Sequence, residues 1–175
     1  MMVTVQPTIS QTRKTSAIRA TTLTDVTITP ENYNEYIYDG VLIGVAKDTK
    51  IKFQGEFNDK DEIKIDTSDI IIEGTDATFT NTIFILNAEN LVLKDMTITD
   101  TETEYPIKNY QDNNIIANNI ITLTNTENTG AAIYNGASNT IIANNTLTVQ
   151  APAHDVDFSS GRGVASTQAM CCLLL

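Results

Sequence analysis

A chain of 175 residues is long enough for one domain, and Asn and Thr, at 17 and 27 residues, make up a quarter of this one. Its formal charge of −11 and pI near 4.3 exclude partners recognised by clustered Lys and Arg, such as nucleic-acid phosphates and anionic lipid surfaces. With one histidine, two adjacent cysteines (Cys171, Cys172) and no long apolar run, the sequence predicts no multi-His metal site, disulfide framework or membrane span.

Residues 1–25 are rich in Thr, Ser and Gln, lack helical periodicity, and read as a flexible segment. Arg13, Lys14 and Arg19 are not followed by an apolar run, so no signal peptide is visible. Residues 26–50 read as an N-terminal cap. Thr27–Thr29 alternates as a short strand. Thr29-Pro30-Glu31 then has the features of a helix start: a hydroxyl cap, proline at the first helical position and an acid in the first turn. Tyr33, Tyr36 and Ile37 share one helical face, and Asp39-Gly40 is the stop signal. Such an element suits the open end of a solenoid, which needs a cover.

From residue 51 to 175 the pattern is strands and turns. Ile51 and Phe53 share a face, as do Ile63 and Ile65. Four similar blocks follow, starting at Asp69, Asn90, Asn113 and Asn139, with spacings of 21, 23 and 26 residues. Self-similarity at that period marks a stacked repeat. With each start numbered zero, position +3 is Ile72, Leu93, Ile116 and Ile142, and position +8 is Ala77, Ile98, Ile121 and Leu147. Position +10 is Phe79, Leu123 and Val149 in three blocks, and six residues before zero stand Ile63, Phe84, Ile107 and Ile133. Three strands per coil, each stacked on the next coil about 4.8 Å away, turn these positions into interior columns. A leucine-rich repeat would show a helical half, and a propeller blade needs about 40 residues. The expected fold is therefore all-β: a right-handed, single-stranded parallel β-helix with a short N-terminal capping helix. Gly74, Asp95, Asn118 and Asn144 at +5 fall on a tight turn, where Asn is expected to stack as a hydrogen-bonded ladder. Met170 to Leu175 reads as a strand beginning a further coil, which leaves an open C-terminal edge for self-association.

The outer surface offers fewer signals. Ile71, Val92, Ile115 and Ile141 at +2 form an apolar outer stripe, to be covered by residues 1–28, by a loop or by a partner chain. The +4 column, Glu73, Lys94, Ala117 and Ala143, repeats no pair of acids on adjacent coils. His154-Asp155-Val156-Asp157 lies in a long excursion between coils, where Asp155 and Asp157 have the chemistry of a Ca²⁺ site or an acid–base pair. Arg162, between two glycines, has the chemistry to hold a substrate carboxylate; an exposed polar loop and a solvated turn Arg are the simpler readings. Tyr33, Tyr36 and Tyr38 are expected to pack the cap, whereas Tyr105, Tyr110 and Tyr134 sit near coil turns and are candidates to stack on sugars. Asn144-Asn145-Thr146 is a glycosylation sequon, expected to stay unmodified because Asn144 lies on the expected ladder. No catalytic, cofactor-binding or metal-ligating residue is assigned.

The run Ile28-Thr-Pro-Glu-Asn-Tyr-Asn-Glu-Tyr36, then Gly40, then Lys52-Phe-Gln-Gly-Glu-Phe57, followed by Asn-rich coils, resembles the large Asn/Thr-rich adhesin-like surface proteins of methanogenic archaea. These carry pectin-lyase-like β-helix regions, and the resemblance covers roughly residues 25–165. It implies a non-enzymatic surface module, part of a longer exported protein, that adheres to cells or glycans. Cleavage of polysaccharide by a lyase or hydrolase is the second function to weigh, and a nonfunctional fragment of a larger adhesin the third.

Overall fold

The computed structural model describes residues 24–124 and 130–150, together with the backbone of two further strands, His154–Phe158 and Gly163–Cys171. In chain order the elements are β1 (Thr24–Ile28), α1 (Tyr33–Tyr36), β2 (Ile37–Tyr38), β3 (Val41–Leu42), β4 (Thr49–Ile65), β5 (Ile71–Leu86), β6 (Val92–Lys94), β7 (Thr97–Asp100) and β8 (Ile107–Asn109). They continue as β9 (Ile115–Ala117), β10 (Ile120–Leu123), β11 (Ala131–Asn135), β12 (Thr140–Val149), β13 (His154–Phe158) and β14 (Gly163–Cys171).

Apart from the β2–β3 hairpin, the strand pairings are parallel, and they sort into three faces of a right-handed β-helix. The first face stacks β1, the start of β4, the start of β5, β6, β9 and the start of β12. The second stacks the middle of β4 and of β5, then β7, β10 and the end of β12. The third stacks the ends of β4 and β5, then β8, β11 and β13. β14 pairs along both halves of β12 and extends the first two faces by another coil. Parallel strands in this arrangement bury one face in the coil interior and present the other outward, so interior columns alternate with surface columns.

The expected interior columns are buried throughout: Ile72, Leu93, Ile116 and Ile142; Ala77, Ile98, Ile121 and Leu147; and Ile63, Phe84, Ile107 and Ile133. Phe79, Leu123 and Val149 are buried too, but register sets Phe79 and not Ala77 beside Ile98, so the fourth column is Leu123 and Val149 with a buried acid, Asp100. Its carboxylate accepts hydrogen bonds from the backbone N–H groups of Glu102 and Thr103 at 3.0 and 2.7 Å and from the Thr103 hydroxyl at 2.7 Å. A charge is thus tolerated in an interior column because it caps the turn that follows.

At the corners between the first and second faces in the last three blocks, though not at Gly74 in the first, one residue takes positive φ. Asp95, Asn118 and Asn144 supply it, at 56°, 58° and 55°, a conformation that short polar side chains adopt more readily than others. The expected ladder at this position is therefore corrected by one residue. Asn118 and Asn144 face solvent, and the stacked pair is Asn119 and Asn145, both fully buried.

The cap differs from its sequence reading in extent. β1 is longer than expected and pairs in parallel with the start of β4, Ile28 beside Phe53. Residues 24–28 therefore extend the sheet and do not cross the outer stripe. The helix shrinks to four residues. Thr29 does not cap it; the Thr29 N–H instead donates to Asn32 Oδ1 at 2.7 Å, and Asn32 is the cap residue. Asp39 and Gly40 both take positive φ, 49° and 72°, which is the two-residue turn that closes a hairpin. Asp39-Gly40 thus closes the β2–β3 hairpin and does not stop the helix, which ends at Tyr36 with Ile37 in extended conformation.

Tyr33 from α1 is buried on Phe57, with ring centroids 5.9 Å apart. Phe57 stacks on Phe79 at 4.9 Å, and Phe53 and Phe84 meet Phe79 edge to face at 5.3 and 4.9 Å. This aromatic cluster fills the N-terminal end of the core. Burial, and secondarily the negative charge of Asp61, pushes the Tyr33 hydroxyl up from 10 to about 12. Between those values the unfolded chain ionises Tyr33 while the folded chain keeps its proton. Stability is complete below pH 10 and falls as pH rises towards 12, by on the order of 2–3 kcal/mol. Chemical denaturation of wild type and Tyr33→Phe at pH 9 and pH 12 checks this: the phenylalanine variant shows the smaller loss.

Candidate functional site

Three outer features of the coil have distinct chemistry. The first is an ion-pair cluster on the first face. Register places Lys52, Glu73 and Lys94 on successive coils. Glu73 Oε1 lies 2.8 Å from Lys50 Nζ, Glu73 Oε2 lies 3.0 Å from Lys94 Nζ, and Lys94 also reaches Asp95 at 2.9 Å. Burial pushes the Glu73 carboxyl up, but hydrogen bonds from Lys50 and Lys94, with their charges, outweigh it and hold the group below the usual carboxylate range. The adjacent cleft, lined by Lys52, Phe53, Gln54, Glu73, Thr75 and Asp76, has a volume of about 180 Å³. That is below the roughly 300 Å³ of the smallest usual ligand pockets. Each charge in the cluster already has a partner, which fits a brace between coils better than a reactive centre.

The second is the apolar stripe. Ile71, Val92, Ile115 and Ile141 stand in one register column, which continues to Val164 in β14. The first three are half-buried, whereas Ile141 and the nearby Ile120 are 48% and 51% exposed.

The third is a tyrosine cluster on the third face. Lys64, Ile85, Lys108 and Tyr134 occupy one register column there. Tyr134 lies between two other rings, with Tyr105 at 5.3 Å and Tyr110 at 5.6 Å between centroids. Lys108 Nζ stands 5.8 Å from the Tyr105 ring centre, within cation–π range. Tyr110 is 46% exposed, and Tyr105 and Tyr134 are half-buried. Desolvation, with a smaller contribution from Tyr134, raises the Tyr110 hydroxyl above its ordinary value, so the most exposed ring of the cluster presents a neutral phenol at physiological pH. Gly136 makes room for them: a Cβ there would stand 3.2 Å from the edge of the Tyr134 ring. The cluster combines flat apolar rings with hydroxyls and one ammonium, able to stack on a sugar face and hydrogen-bond its hydroxyls at once.

The sequence pointed to these three tyrosines separately; β8, the turns around it and β11 bring them together. The acids expected in an excursion lie elsewhere than expected. His154–Phe158 is the strand β13, paired along β11, with Asp157 in register beside Tyr134 and Val156 beside Ile133. Alternation of polar and apolar residues from Asp155 to Phe158 carries the strand signal, and the two acids obscure it. Arg162, Cys172 and residues 1–23 lie outside the described residues. Among the described residues no group of three or more His, Cys, Asp or Glu side chains is placed to hold a metal ion, and no helix is long and apolar enough to cross a membrane.

Coils of this geometry define a right-handed parallel β-helix, and the sequence agrees independently. The family model described as right handed beta helix region matches residues 11–169. The chain belongs to that family. No curated protein and no solved structure matches the chain. The family includes both enzymes and non-enzymes, so the function rests on the surface chemistry of this chain more than on its fold.

Proposed function

We propose that this chain is a non-enzymatic, adhesin-like module that binds glycans or glycan-bearing cell surfaces, displayed outside the cell as part of a longer exported protein. The observation that carries this reading is the tyrosine cluster of Tyr105, Tyr110 and Tyr134 beside Lys108. Aromatic rings on an open β-face bind individual sugars weakly, and repetition along a polymer or across many copies converts weak contacts into avidity. A net charge of −11 disfavours densely anionic glycans at low salt and favours neutral or sparsely charged ones.

A glycan array probed with the full chain tests it. The expected result is saturable binding to a subset of neutral glycans, reduced about tenfold or more by Tyr110→Ala, since losing one stacking ring and its hydroxyl contact costs about 1–2 kcal/mol. Tyr38→Ala, on the exposed ring of the cap hairpin, leaves binding unchanged. Equal binding by wild type and Tyr110→Ala removes the cluster from the account.

A second reading is glycan cleavage. It is favoured by the register of β13, which brings Asp157 to the coil position beside Tyr134. Release of reducing ends from a polysaccharide, lost in both Asp155→Ala and Asp157→Ala, would establish it in place of simple binding.

A further inference from the structure

Asn144 is the only one of the 17 asparagines followed two residues later by Thr or Ser, the acceptor pattern for N-linked glycans. The structure places it where a modified side chain is accommodated. Asn144 is the positive-φ corner residue between the two halves of β12, and it is exposed. Pairing between β12 and β14 shifts register here: Ala143 stands beside Ser166 and Asn145 beside Thr167, so Asn144 is left out of the ladder. The buried hydrogen bonds between coils are made by Asn145, one residue on. Thr146, the other half of the sequon, is also exposed. The doublet thus separates two tasks: Asn145 faces in and bonds the coils, and Asn144 faces out with its carboxamide unused by the ladder.

We propose that Asn144 carries an N-linked glycan. The step is a group transfer without redox change. Asn144 Nδ2 forms a bond to the anomeric carbon of a lipid-phosphate-linked glycan held by a membrane glycosyl transferase. The bond from that carbon to the phosphate oxygen breaks, the polyprenyl phosphate leaves with the electron pair, and one carboxamide proton passes through the transferase to water. The corner bearing Asn144 lies between the first and second faces, opposite the third. The glycan therefore projects away from Tyr105, Tyr110 and Tyr134 and leaves that surface open.

This inference rests on the exported location proposed above, and peptide mapping of the native chain recovered separately from envelope and cytosol keeps the two apart. Chymotryptic cleavage after Tyr134 and Leu147 releases residues 135–147, which hold the sequon. The expected result is a peptide from the envelope fraction heavier by the mass of a glycan at Asn144. The added mass is lost in Asn144→Gln and Thr146→Ala and retained in Thr146→Ser, while glycan binding through the tyrosine face is unchanged in all three. An unmodified peptide from envelope chain overturns the modification and leaves the location standing. Unmodified chain found only in the cytosol overturns both.

Discussion

Replacing Asn119 with leucine lowers stability by about 3–5 kcal/mol, although leucine is close to it in size and more apolar. Asn119 Oδ1 accepts the Met96 N–H at 3.0 Å, and its Nδ2 donates to the Leu93 carbonyl at 3.2 Å and to Asn145 Oδ1 at 2.9 Å. All of these groups are buried, and one side chain joins three coils through them. Leucine would leave a backbone donor and a backbone acceptor without partners in the dry interior, each costing about 1–3 kcal/mol. In a solenoid, stability is close to a sum of neighbour interfaces, so the loss falls between the coil of Leu93 to Met96 and those that follow. Asn118→Gly, one residue earlier, is expected to cost less than about 1 kcal/mol, because that site needs only a residue tolerant of positive φ. Urea denaturation of the two variants, with amide exchange to locate the loss, checks both. Equal effects would place the ladder at the wrong position of the turn.

Phe79→Ala is expected to cost about 3–5 kcal/mol. Phe79 touches Phe53, Phe57 and Phe84, and is almost fully buried. The cluster joins three faces and receives Tyr33 from the cap through Phe57. Alanine would leave a void among rings fixed by strands whose spacing is set by backbone hydrogen bonds, so the walls cannot close on it. The cap is expected to loosen with it, seen as early exchange of the β2–β3 amides together with a fall in the denaturation midpoint. Phe79→Leu, which refills most of the volume, is expected to recover more than half of the loss.

The columns at −6 and +3 are legible because burial in a β-helix repeats at fixed positions and apolar side chains mark it directly; at +8 and +10 the first block is displaced by two residues, Phe79 standing beside Ile98. The ladder was misplaced by one residue because Asn118-Asn119 and Asn144-Asn145 are doublets, and Asn serves equally at an exposed corner and in a buried stack. A signal was nevertheless present one coil earlier. Position +6 is Met96, which is buried, so that column faces inward before Asn119 and Asn145 continue it. Leu91 precedes Asn114 in the same way, and Leu86 precedes Asn109 and Asn135. Asn109 Nδ2 donates to Asn135 Oδ1 at 2.6 Å, and Asn114 Nδ2 to Asn109 Oδ1 at 2.7 Å. The interior thus passes from apolar side chains to an amide network in which no buried side-chain polar atom lacks a partner among the described residues. Tyr105, Tyr110 and Tyr134 were visible as residues, but they sit at three different positions of the repeat. Their meeting depends on the register of β8 and β11, which unequal block lengths hide.

Saturation-transfer NMR on the full chain with its best array glycan tests the central claim most directly, because it reports contact and chemistry in the same sample. The account predicts saturation concentrated on one face of a sugar ring, lost in Tyr110→Ala, with the glycan spectrum unchanged over a day. New anomeric signals from cleaved product, or saturation indifferent to Tyr110, would contradict it.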